Sequence, residues 1–191
     1  MPKDYLNYLT LESKKFAKKN DVFDIILYGS FVKGKDEARD IDILVIFKQK
    51  NLKERTDLVQ DFKEILTKKI NNIDLKTINL RELFEKEFLA RQSILVEGYS
   101  LLSDMALAEK IGFKGYALFT YNLQKLNHNE KTKFTYALIG RNSEGIVKQL
   151  GGISLGRGAL IIPIGNGLVF ENFLLKWGVS FNKKAILISE L

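Results

Sequence analysis

The 191-residue chain has no cysteine, which excludes disulfides and thiolate metal sites. It has one histidine, His128, too few for a zinc centre or a histidine dyad. Any metal ion bound here has to be held by oxygen ligands, which suits magnesium or manganese rather than zinc. No apolar run reaches the roughly 18 residues that a membrane-spanning helix needs, so no membrane partner is expected. The start, Met1-Pro2-Lys3-Asp4-Tyr5, lacks the apolar core of a secretory signal, and a cytoplasmic location is the expectation. Internal repeats and low-complexity segments are absent from the sequence as well.

Acidic residues are scarce in one part of the chain only. Residues 1–112 hold 20 Lys/Arg and 19 Asp/Glu, a net of +1, whereas residues 113–191 hold 10 and 4, a net of +6. The excess of the whole chain, +7, therefore sits almost entirely in the second part. Such a surface suits a polyanionic partner such as RNA, and equally a plain solvated Lys-rich face.

Periodicity divides the chain into elements. Apolar residues at Tyr5, Leu6, Leu9, Phe16 and Ala17 predict a helix over 4–19. Strands are expected at 23–28 and 41–47, and a helix at about 52–70 with Val59, Phe62, Leu66 and Ile70 on one face. A third strand follows at about 73–78. Asn79 is expected to cap a helix carrying Leu80, Leu83, Phe84 and Phe88, and Ser103 to cap a short helix ending near Ile111. A boundary is placed near Gly112-Phe113-Lys114-Gly115. Beyond it the pattern predicts a strand from Tyr116 to Tyr121 and a helix around 129–139. A glycine-rich stretch from Gly140 to Gly158, a strand from Ala159 to Ile164, a helix with Phe170, Phe173, Leu174 and Trp177, and a strand around 179–188 follow. Gly151 to Gly158 precedes a strand and lacks the Lys-Ser/Thr of a phosphate loop, so it reads as a hairpin or turn cluster. Tyr116, Phe119 and Tyr121 alternate as core residues of a strand do, although aromatics near Arg141 and Arg157 could also meet RNA.

The segment from Gly29 to Phe47 is the most informative. A strand delivers Gly29-Ser30 at its end, and a second strand opens with Asp40 and Asp42, two apart and so on one face. The rest of that strand is continuously apolar. Lone carboxylates at the mouth of a buried strand are costly, and divalent cations are the partners that best suit such a pair. Asp74, in the next predicted strand, supplies a third carboxylate.

Gly-Ser, some ten residues, Asp-x-Asp in a strand, then a later Asp: this ordered set resembles the DNA polymerase β-like nucleotidyltransferase superfamily, in particular its minimal single-domain members. The likeness covers roughly residues 20 to 102 and includes the closing segment Glu97-Gly98-Tyr99-Ser100-Leu101-Leu102. Many relatives carry Ser before the first Asp of Asp-x-Asp; here it is Arg39. The resemblance implies an α/β fold, a mixed-sheet nucleotidyltransferase core over 1–111, with a smaller basic α+β domain over 112–191. It implies transfer of a nucleoside monophosphate, AMP from ATP, to a hydroxyl, with pyrophosphate released. On that basis Asp40, Asp42 and Asp74 are the catalytic and metal-holding residues for Mg²⁺ or Mn²⁺. Gly29, Ser30, Lys33 and Arg39 are the nucleotide-binding ones. The implied acceptors are a HEPN-type toxin protein, an RNA end or a small molecule. The alternative is a catalytically silent nucleotide-binding regulatory or RNA-binding module.

Overall fold

The computed structural model describes residues 3–29 and 40–189. The chain divides into two compact units, Met1–Gly112 and Phe113–Leu191. Each is a layered α/β arrangement with its own sheet, the fold class expected from the sequence.

The first unit runs α1 (Lys3–Lys19), β1 (Val22–Tyr28), β2 (Ile41–Phe47), α2 (Leu52–Thr67), β3 (Ile73–Asn79), a single 3-10 turn (Glu82–Phe84), α3 (Arg91–Glu97), β4 (Tyr99–Ser100), β5 (Met105–Ala106) and α4 (Leu107–Lys110). The sheet order is β3-β2-β1-β4-β5. β2 pairs antiparallel with β1 and parallel with β3. A parallel pair needs a crossover connection, and α2 provides it. Asn51 starts α2 by accepting a hydrogen bond from the Glu54 amide at 2.9 Å.

Strand β2 is covered on both faces, which is why it reads Ile-Asp-Ile-Leu-Val-Ile-Phe with one polar residue. Ile41, Ile43, Val45 and Phe47 pack with Leu9 and Phe16 of α1 and with Val59, Phe62 and Leu66 of α2. Phe16 stacks on Phe62 at 4.3 Å between ring centroids. The other face joins Ile26, Tyr28, Leu44 and Ile46 to Leu83 and Ile94. Asp24, fully buried near the start of β1, accepts from the Ser100 hydroxyl and the Lys110 ammonium, each at 2.8 Å, so its charge is compensated.

Two expected helix starts differ. The apolar spacing at Leu80, Leu83, Phe84 and Phe88 does not make a helix. The Asn79 side chain bonds instead to both backbone groups of Lys50, and the Glu82 carboxylate is drawn to the buried Arg55 guanidinium at 2.8 Å. Phe84 is left exposed. Ser103 does not cap either: its amide donates to the Ser100 hydroxyl, and α4 begins only after the short strand β5.

The second unit runs β6 (Phe113–Asn122), α5 (His128–Ile139), α6 (Ile146–Gln149), β7 (Ile153–Gly156), β8 (Ala159–Pro163), α7 (Gly167–Lys176) and β9 (Ser180–Ser189). Its fully antiparallel sheet has the order β7-β8-β6-β9, the split β-α-β arrangement. Phe119, Phe134 and Phe170 are its fully buried aromatics, and Phe173 and Trp177 pack on Phe134. The glycine-rich stretch closes with the β7–β8 hairpin. His128 opens α5, one step after its N-cap Asn127. The Asn127 side chain and the Glu130 backbone, and the reverse pair, form a reciprocal capping box at 3.0 and 2.8 Å. Asn127→Ala is accordingly expected to cost about 0.5–2 kcal/mol of stability, read as a lower midpoint in urea unfolding at unchanged slope.

Candidate active site

The site grows out of strand register. Tyr28 is the register partner of Asp42, and Asp42 is the partner of Asp74. Three adjacent strands thus present a tyrosine and two carboxylates side by side. Period-two alternation puts Lys76 on the same face as Asp74. The parallel pairing of β2 with β3 brings the entrances of both strands to one edge, and the antiparallel β1 brings its exit there.

Gly29 follows Tyr28 with φ of +83°, a backbone conformation that glycine takes at little cost. A Cβ built at Gly29 would run into the Asp42 carboxylate, and its distance to Asp42 Cγ would be 3.0 Å. Gly29 therefore makes room for the carboxylate as well as turning the chain.

Burial, first, raises the Asp42 carboxyl above its usual range; Asp74 adds to the shift, Lys76 opposes it, and Asp40 adds a smaller push. The Lys76 ammonium lies 3.3 Å from Asp74 Oδ2. Tyr28, 8 % exposed, is raised above the usual phenol range by burial first, with Lys76 opposing and the two carboxylates adding. Asp40 stands just outside β2, exposed at its mouth.

Of the residues expected from sequence, the structure brings together Gly29, Asp42 and Asp74, with Asp40 close enough for its charge to be felt at Asp42. Among the described residues, no three His, Cys, Asp or Glu side chains gather tightly enough to hold a metal ion. Ser30, Lys33 and Arg39 lie outside the described residues. Sequence reasoning missed Tyr28 and Lys76. Both carried a signal: one immediately precedes Gly29, and the other shares a strand face with Asp74.

Residues 12–99 match the family model described as "Polymerase beta, Nucleotidyltransferase". The first unit carries a nucleotidyltransferase domain of the polymerase beta type. The matched segment spans α1 to the start of β4, a little under half of the chain, and contains Gly29, Asp40, Asp42 and Asp74. No curated protein matches the chain. Solved structures with some likeness to this chain include a mutant of the toxin–antitoxin MntA–HpeT, at 23% identity and a TM-score of 0.36, covering 48% of this chain and 71% of that one. Another is a toxin–antitoxin with AMP-PNP, at 24% identity and a TM-score of 0.36, with the same two coverages, 48% and 71%. A third is a tri-AMPylated Shewanella oneidensis HEPN toxin in complex with MNT antitoxin, at 20% identity and a TM-score of 0.36, covering 58% of this chain and 84% of that one. Among the described residues, no helix is long and apolar enough to cross a membrane.

The donor chemistry fits a hard divalent cation. Asp42 and Asp74 offer only oxygen, stand on neighbouring strands, and repel each other enough to shift a pKa. A third oxygen ligand would have to come from Asp40, at the strand mouth.

Proposed function

We propose that the protein transfers AMP from ATP to a hydroxyl acceptor. The observation that carries this reading is the Asp42–Asp74 pair abreast on β2 and β3, directly beside Gly29 at the exit of β1. Asp40, Asp42 and Asp74 would hold Mg²⁺ or Mn²⁺. A divalent cation bound there supplies neutralising charge to the attacking and leaving oxygens. Asp74 accepts the proton that the acceptor hydroxyl loses as its oxygen bonds to the α-phosphorus. The bond from that phosphorus to the bridging oxygen breaks, and pyrophosphate leaves. The amides after Gly29 and the Ser30 hydroxyl hold the β- and γ-phosphate oxygens, while Lys33 and Arg39 offset their charge. ATP is preferred over other triphosphates on the family resemblance and its abundance.

The second unit holds or positions the acceptor. Its net charge of +6 supports an anionic one such as an RNA end. Two of its lysines are already engaged, Lys183 by Glu171 and Lys148 by Glu144. Arg141 lies over the Tyr136 ring at 4.9 Å, and Arg157 lines a cleft of about 700 Å³ with Tyr121 and Phe134. These two arginines are among the cations that could meet phosphates, together with exposed lysines such as Lys131 and Lys133. A HEPN-type protein side chain is the other acceptor class, and its support is the family resemblance.

The test is incubation of the protein with each α-labelled NTP, Mg²⁺ and cell extract. Label should pass from ATP to a macromolecule, and RNase or protease sensitivity of the product then identifies the acceptor. Absence of transfer and of pyrophosphate release with all four NTPs would sink the proposal. Within it, Ser30→Ala is expected to lower kcat/KM for ATP by roughly 1–3 kcal/mol, far less than loss of Asp42. Unchanged kinetics would reduce Gly29-Ser30 to a turn.

A further inference from the structure

We infer that Lys76 is a resident counter-charge of the Asp42–Asp74 pair and competes with a divalent cation for it. The inference rests on the carboxylate site proposed above and adds a positioning residue to it. Lys76 stands on β3 and Tyr28 on β1, the two strands that flank β2. Period-two alternation along β3 puts Lys76 on the face that carries Asp74, and the register puts Asp42 and Tyr28 on that face too. The charge of Lys76 acts on Asp42 as well as on Asp74.

Three observations converge. The ammonium is 3.3 Å from Asp74 Oδ2. Tyr28, the register partner of Asp42 on the other side, is held by packing with Ile26, Leu44 and Ile46 and walls that flank of the site. Finally, Asp42 and Asp74 are register partners, so two like charges face each other at close range with the Lys76 ammonium beside them. A lysine suits such a post. Its charge is compact and its stem flexible, so it can leave a carboxylate that a divalent cation claims. The Lys76 side chain is 61% exposed, and so has room to move off Asp74.

Removal of the ammonium should therefore tighten metal binding. Full-length protein is titrated with Mn²⁺ alone, without nucleotide, and bound metal is read by electron paramagnetic resonance. Lys76→Met is expected to lower the Mn²⁺ dissociation constant by about 3- to 10-fold, as loss of one nearby positive charge should. Lys76→Arg should restore the wild-type value. In the transfer reaction the Mg²⁺ concentration for half-maximal rate should fall in Lys76→Met in the same proportion.

Asp42→Asn in the same titration separates the two levels of argument. If Asp42→Asn binds Mn²⁺ as wild type does, or if neither wild type nor Lys76→Met binds it, the carboxylate site itself is wrong. If Asp42→Asn loses Mn²⁺ while Lys76→Met binds it no more tightly than wild type, only the role given to Lys76 is overturned.

Discussion

Asp42→Asn should lose at least about 10³-fold in turnover, about 4 kcal/mol of transition-state stabilisation, while the protein stays folded. The amide keeps the shape of the carboxylate, so the fit against Gly29 survives. What disappears is the charge on the strand that stands between β1 and β3. Asp40→Asn should behave alike if Asp40 supplies the third oxygen donor, as the proposed mechanism has it. Stability should move the other way. Burial and the neighbouring carboxylates raise the Asp42 carboxyl, so the folded protein binds that proton more tightly than the unfolded chain. The group's contribution to stability is thus fullest below its unfolded pKa and declines as pH rises through the raised one. A neutral amide escapes that decline, and metal-free Asp42→Asn should melt at or above the wild-type temperature at neutral pH. Single-turnover transfer and thermal melting of the metal-free protein check both halves. Wild-type turnover would remove Asp42 from the mechanism, and a collapsed melt would make its loss of activity uninformative.

Gly29→Ala should come next, with a loss of about 10²-fold or more. Two costs coincide. Alanine is strained at φ of +83°, and its Cβ would press on the Asp42 carboxylate, which has to give way. A displacement of about 1 Å at a reacting centre is enough for a loss of that size. The stability cost should be smaller, on the order of 1–3 kcal/mol. A variant that melts slightly early and turns over at the wild-type rate would mean that Asp42 has freedom to shift without consequence.

The strands that carry this site were legible because of contrast. β2 runs from Ile41 to Phe47, as its unbroken apolar run predicts, and Asp42 stands out as its one polar residue. The face of α2 was equally plain, since Val59, Phe62 and Leu66 recur at helical spacing and are all buried. What sequence could not supply was competition between partners. Leu80 to Phe88 has helical spacing, yet Asn79 and Glu82 are taken by Lys50 and Arg55, which lie about thirty residues earlier in the chain. Lys76 and Tyr28 were passed over for a similar reason. Alone, each is an ordinary strand residue, and only the cross-strand register makes them neighbours of the carboxylates.

The parallel pairing of β2 with β3 also sets the order in which the site can come into being. β1 and β2 are consecutive antiparallel strands, but Asp74 reaches Asp42 only after the chain has travelled through α2. Non-local pairings of this kind form late, because the connecting segment has to be ordered before they can repay its entropy. Asp74 is thus the last of the paired carboxylates to arrive, and docking of α2 through Phe16 and Phe62 is the event that delivers it. During refolding, recovery of activity should track the burial of those two rings rather than the first appearance of sheet.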